Sequence, residues 1–177
     1  MTPERLTTRR LVLRRVRASD WPSFYDHARR EEVSRPAGFP APRTSADTRR
    51  AVSAMAAQWD RPPLRRCAYS VFLKKDGTWV GGANLRWPHS GVAELGYSVH
   101  PDHWGKGYAS EAAGRLVRLA WAQGAHRVQA TCWVRNARSQ RVLAKLGLRR
   151  EGRLRGFLRR GDEVRDEYVY GLARADR

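Results

Sequence analysis

His100-Pro-Asp-His-Trp-Gly-Lys-Gly-Tyr-Ala-Ser-Glu111 decides how this chain is read, because it sets two glycines and small residues where a β-type segment gives way to a helix. Gly105 and Gly107 carry no Cβ and accept positive φ, so successive backbone N–H groups can converge on an anion at the positive end of the following helix dipole. That helix is legible from Ala109, Ala112, Ala113, Leu116, Val117 and Ala120, which recur on one helical face, and Gln123-Gly124 stops it. The stretch is a phosphate cradle. It lacks the Gly-Lys-[Ser/Thr] ending of a nucleoside-triphosphate loop and the third glycine of a dinucleotide fingerprint, which argues against ATP or NAD as the ligand.

Working outward, Val92–Val99 alternates as a strand leading into the loop. Cys67–Lys74 and Trp79–Trp87 are β-type runs joined by Lys75-Asp-Gly-Thr78, whose Asp-Gly is a hairpin signal. Nearer the start, Arg10–Arg17 predicts a strand and Ser19 or Asp20 caps a helix through about Arg30. The Pro- and Gly-rich Ser34–Arg43 predicts a loop that cannot be helix or central strand, and Ser45–Trp59 predicts a helix stopped by Arg61-Pro-Pro63. Downstream, Arg127–Val134 reads as a buried strand, Asn136–Leu146 as a short helix ended by Gly147, and Leu148–Leu158 with Glu163–Leu172 as strands around Arg160-Gly-Asp162. The order predicts an α/β domain with a mixed sheet.

A chain of 177 residues with 41% hydrophobic and 10% aromatic content suits one domain with a substantial core. No apolar run approaches the roughly 18 residues of a membrane span and no hydrophobic leader is visible, so the expected setting is cytoplasmic, away from membranes. Two cysteines, Cys67 and Cys132, are too few for a disulfide framework and are expected as reduced core thiols. Net charge is +18, and 31 of the 35 basic residues are Arg. Such a field attracts phosphates of any kind, but the doublets from Arg9-Arg10 to Arg159-Arg160 are scattered rather than gathered, so nucleic acid is expected to bind only non-specifically. His100 and His103 have metal-like spacing but flank Pro101 without further ligands, and no metal is expected.

The segment Glu94-Leu-Gly-Tyr-Ser-Val-His-Pro-Asp-His-Trp-Gly-Lys-Gly-Tyr-Ala-Ser-Glu-Ala112, followed by Asn136-Ala-Arg-Ser139 and Lys145-Leu-Gly-Leu-Arg-Arg-Glu151, resembles the GNAT superfamily of N-acetyltransferases, and within it the ribosomal-protein (RimJ/RimL-like) branch. The likeness runs from Leu11-Val-Leu-Arg14 to Arg165-Asp-Glu-Tyr-Val-Tyr170. It implies one GNAT domain over residues 1–177, with a mixed, mostly antiparallel sheet flanked by helices and splayed central strands that bind acyl-CoA. It also implies acetyl-CoA as co-substrate. One departure is Trp104, which stands where the superfamily pattern has Gln or Arg ahead of Gly107 and Ala109.

Amide formation from a thioester needs a base for the amine, a donor at the carbonyl oxygen and an acid near sulfur. The resemblance assigns pantetheine binding to Tyr97, Ser98 and Val99, with the Val99 N–H polarising the acetyl carbonyl. It assigns the pyrophosphate to Gly105, Lys106, Gly107, Tyr108, Ala109 and Ser110, beside Trp104. Glu94, on the strand before the loop, is the expected base, its pKa raised by burial. Ser139 is the expected proton donor at sulfur, and Asn136 contacts pantetheine while capping its helix. Tyr97 and Tyr108 are further hydroxyl candidates, and Trp59 and Trp87 could line an acceptor pocket. The branch implies a protein N-terminal α-amine as acceptor. A small-molecule amine, such as an amino acid, polyamine or antibiotic, and a basic RNA- or ribosome-binding module keeping the fold, stay open, as does oligomeric state, a homodimer included.

Overall fold

Leu11 and Leu13 are fully buried while Val12 and Arg14 are not, the period of two that a strand with one covered face requires. Repeated along the chain, this alternation builds an eight-stranded open sheet. The computed structural model describes residues 2–39, 41–42, 44–61 and 63–176. Its strands are β1 (Arg5–Thr7), β2 (Leu11–Arg15), β3 (Arg66–Leu73), β4 (Trp79–His89), β5 (Val92–Val99), β6 (Arg127–Trp133), β7 (Arg149–Arg160) and β8 (Glu163–Ala173), ordered β1-β2-β3-β4-β5-β6-β8-β7. Pairing is antiparallel throughout, except that β5 and β6 run parallel. The helices are α1 (Trp21–Ala28), α2 (Glu31–Ala37), α3 (Ser45–Ala57), α4 (Tyr108–Ala122) and α5 (Ala137–Lys145).

Both faces of the sheet are covered. Cys67 and Tyr69 on β3 join the main cluster with Ala113, Leu116 and Ala120 of α4, whereas Ala68 between them joins Val16 and Val52 in a second cluster packed by Phe24 and Met55 of α1 and α3. Successive strand residues point to opposite faces, so α4 and the α1–α3 pair lie on opposite sides of the sheet.

The strand crossing that matters most is incomplete. The β5–β6 ladder joins Val92, Ala93 and Glu94 to Arg127, Val128 and Gln129 and then stops, while β5 stays paired to β4 as far as Val99 and β6 to β8 as far as Trp133. Two strands held on their outer edges thus part along their inner ones. The expected mixed sheet with splayed central strands is what the chain forms.

Two expectations fail locally. Glu31–Ala37 is helical although Ser34–Arg43 reads as loop, because Pro36 sits in the last turn, where it removes a single backbone bond, and burial of Val33 and Ser34 outweighs that loss. Gly38, at φ 82°, then closes the helix; Pro40 and Arg43 of the expected loop lie outside the described residues. Asp20 does not cap α1 through its side chain. Its carboxylate instead takes both Arg14 guanidinium nitrogens (2.6 and 2.9 Å), the Arg17 N–H (3.0 Å) and the Ser70 hydroxyl (2.7 Å), tying the start of α1 to β2 and β3. Burial would push that carboxyl up, but these bonds outweigh it and hold it below the usual range. Among the described residues no helix is long and apolar enough to cross a membrane.

Candidate active site

The loop after β5 has the conformation its glycines predict. Gly105 and Gly107 stand at φ 76° and 78°, in the left-handed region that a side chain disfavours. Gly107 is the N-cap of α4 and no side chain caps that end, so the first-turn N–H groups are left for another acceptor. A Cβ on Gly105 would meet nothing within 4 Å, and one on Gly107 only an Arg10 guanidinium nitrogen at 3.4 Å, so the concavity that a phosphate would fill is open. These features fit the pyrophosphate of CoA. Trp104 explains its own departure from the superfamily pattern: its indole N–H donates to the Val99 carbonyl (2.7 Å) and its ring carries the Arg138 guanidinium at 4.0 Å, pinning the loop to the end of β5 and to α5.

The backbone of β5 supplies the next group. His100 N–H donates to the Val80 carbonyl of β4 (2.9 Å), and neighbouring residues of a strand direct their N–H groups to opposite edges, so the Val99 N–H points into the gap left by β6. Opposite it, Asn136 caps α5, its Oδ1 accepting the Ser139 N–H (3.1 Å), a cap worth about 1 kcal/mol. The cap orients Ser139, whose Oγ lies 2.9 Å from the Tyr97 hydroxyl across the gap. Tyr97 is a phenol that burial pushes well above its ordinary range, so it stays protonated.

One cleft of about 1490 Å³ joins these groups to the face covered by α1, α2 and α3. Its wall includes Tyr97, Ser98 and Val99, Trp104, Gly105, Gly107, Tyr108, Ala109 and Ser110, and Asn136 and Ser139. It also includes residues to which no role was assigned from the sequence. Glu167 on β8 is 6% exposed, and burial pushes its carboxyl up despite Arg165 Nε at 3.7 Å. Cys132 on β6 shares the wall, its thiol pushed up to about 11, first by burial and then by Glu167. His27 on α1 is 3% exposed, with Nε2 2.7 Å from Ser98 Oγ, and burial followed by the charge of His100 lowers it to about 4, a neutral imidazole at pH 7.

Three expected contacts fall elsewhere. Glu94 does not reach the cleft wall; it lies opposite Arg86 on β4 and accepts that guanidinium at 2.6 Å, as a strand carboxylate facing a cross-strand arginine will. The Lys106 side chain donates to the Asp102 carbonyl (3.0 Å) from an exposed position, which leaves its backbone N–H in the phosphate loop as expected of residues 105–110. Trp59 and Trp87 pack against the main core, Trp59 donating to the Ala68 carbonyl at 3.0 Å, and neither lines the cleft. Sequence reasoning missed Glu167: it lies with Arg165 on the face of β8 opposite the core residue Tyr170, and its burial there comes from tertiary packing that no local pattern marks. Both cysteines are free, and no group of three or more His, Cys, Asp or Glu that could hold a metal occurs among the described residues.

Comparison with known proteins agrees with this geometry. Residues 10–149 match the model of the Acetyltransferase (GNAT) domain. YnaD of Bacillus subtilis (strain 168), an uncharacterized N-acetyltransferase, is 29% identical over 94% of this chain and 95% of its own length. A GNAT-family acetyltransferase from Bacillus anthracis superposes with a TM-score of 0.84 at 27% identity, covering 96% of this chain and 98% of that one. RimJ of Mycobacterium smegmatis, solved with CoA-disulfide, shares the fold with a TM-score of 0.84 at 22% identity, covering 99% of this chain and 89% of its own. A phosphate loop, a splayed strand pair and a match over most of the chain converge: this protein belongs to the GNAT family and is an acetyl-CoA-dependent N-acetyltransferase.

Proposed function

We propose that the acceptor is a protein N-terminal α-amine and that Glu167, rather than Glu94, is the base that receives its proton. The observation carrying the first part is the extent of the cleft. Its volume of about 1490 Å³ must take both substrates, and beyond the phosphate loop and the splay it continues along the face covered by α1, α2 and α3, giving the end of a polypeptide a path beside the pantetheine arm. The resemblance to the ribosomal-protein branch supports the same acceptor. Glu167 is favoured because it is a buried carboxylate on the cleft wall, shifted toward neutrality, whereas Glu94 is engaged by Arg86 outside it.

Acetyl-CoA brings an activated thioester. The chain contributes the groups around it: the N–H groups of 105–110 hold the phosphates, the Val99 N–H donates to an oxygen in the splay, Glu167 accepts a proton from the amine and the Ser139 hydroxyl donates one toward sulfur. The test is thiol release from acetyl-CoA with a panel of peptides, small amines and amino acids. Turnover on peptide α-amines at kcat/KM well above that for small amines is expected. Turnover confined to small amines would move the acceptor to that class, and sequence-selective RNA binding with no thiol release would favour a binding module.

A further inference from the structure

The two ends of the cleft differ in charge and polarity, although the chain as a whole carries +18. Toward the phosphate loop the wall is basic, with Arg138, Arg141 and Lys145 on α5. Toward α1–α3 it carries the carboxylates of Glu32 and Asp47, with Glu167 at the junction and Arg66 as its one guanidinium among the described residues. Asp47 is engaged by Arg50 and by the start of α3, whereas Glu32 forms no ion pair among the described residues. Beside these, His27 of α1 and Thr48 of α3 are polar, and the apolar part of this half is Phe24, Val33, Phe39, Val52 and Met55, of which Val33 and Val52 are 4% and 1% exposed.

From this we infer, building on the N-terminal reading, that the enzyme selects chain ends whose first residue is aliphatic or aromatic. The amine arrives as a cation, which the acidic half attracts and the basic half repels, so the two substrates are sorted to opposite ends of one cleft. Next to the amine, an apolar side chain buries itself among Phe24, Val33, Phe39 and Met55. Burying a side chain of leucine size is worth roughly ten- to hundredfold in affinity, so this contact outweighs the few-fold effect of a screened mouth charge. A first residue bearing a carboxylate would place a desolvated anion in the acidic half. A free amino acid would do the same with its α-carboxylate, with Arg66 as the one guanidinium lining that half among the described residues.

The experiment compares kcat/KM for peptides that share one tail and differ in the first residue (Leu, Phe, Gly or Asp), together with leucinamide against leucine. Expected are Leu and Phe peptides at least about tenfold above Gly and Asp, and leucinamide at least about tenfold above leucine. In Phe39→Ala, with CoA titration confirming an intact cofactor site, the Leu-to-Gly ratio narrows by several-fold; Met55→Ala does the same if Phe39→Ala fails to fold. Equal turnover on all first residues, or leucine as good as leucinamide, overturns the inference and leaves N-terminal acetylation standing. Turnover on polyamines or lysine side chains with none on any N-terminus overturns both.

Discussion

The Tyr97 hydroxyl and Ser139 Oγ lie 2.9 Å apart, with the Ser139 carbonyl 3.2 Å from the same phenol, so a residue of β5 reaches the first turn of α5 across the gap between β5 and β6. The phenol has one proton. Donated to Ser139, it leaves the serine hydroxyl free to donate elsewhere. Ser139→Ala is therefore expected to keep CoA affinity and lower kcat, because the hydroxyl acts only as the thiolate departs. Tyr97→Phe should show the same pattern at smaller amplitude. Steady-state kinetics beside calorimetric CoA titration checks both; a raised KM with kcat intact would reduce Ser139 to a pantetheine contact.

Glu167 and Glu94 make opposite predictions. Glu167→Gln should lower kcat/KM by about 10²-fold or more near neutral pH, with the deficit shrinking as the acceptor amine deprotonates in solution, since a free amine no longer needs a base. Glu94→Gln loses a partly exposed ion pair worth at most about 1 kcal/mol and should retain turnover. A pH–rate profile of the two variants and the parent distinguishes them. A larger loss in Glu94→Gln than in Glu167→Gln would return the base to β5.

The contrast shows what a sequence of this kind makes legible. Periodicity and the glycine spacing locate β5, the phosphate loop and α4 to within a residue or two, because these features are local: 92–99 alternates and 108–122 repeats on one face. The roles of Asn136 and Ser139 are visible for the same reason, a cap and its third residue lying on one turn. Which carboxylate meets the cleft is a matter of long-range register. Glu94 is set opposite Arg86 and Glu167 opposite Trp133 by sheet pairing, which no local pattern encodes. The helix through Pro36 was hidden likewise, because it is stabilised by burial of Val33 and Ser34 against other elements.

Gly107→Val tests the phosphate loop. A β-branched residue at φ 78° is strained by about 1–3 kcal/mol, and its Cβ would stand 3.4 Å from the Arg10 guanidinium. The strain is local to an exposed loop, so the fold should survive while CoA affinity falls at least tenfold. Circular dichroism and calorimetric CoA titration on the same sample read the two effects separately. Unchanged affinity in the folded variant would remove the phosphates from this loop.

His27 carries a pH prediction whose sign follows from its burial. In the folded protein its pKa is lowered from 6.5 to about 4 by burial and by His100, against the opposing pull of Asp26, while Nε2 stays 2.7 Å from Ser98 Oγ. The unfolded chain therefore takes up this proton first as pH falls. Stability is unaffected by this group above about pH 7, declines from about 6.5 downward, and levels off once the folded form also protonates near pH 4. The loss amounts to about 3 kcal/mol at most, a large part of a typical domain's stability. Replacing the imidazole with a non-titrating amide, His27→Gln, should flatten that part of the profile, so urea unfolding of parent and variant should diverge between pH 7 and pH 4.5. Parallel profiles would mean that the ring titrates near 6.5 in the folded protein as it does in the unfolded chain, and divergence of the opposite sign would mean that a charged ring makes the Ser98 contact.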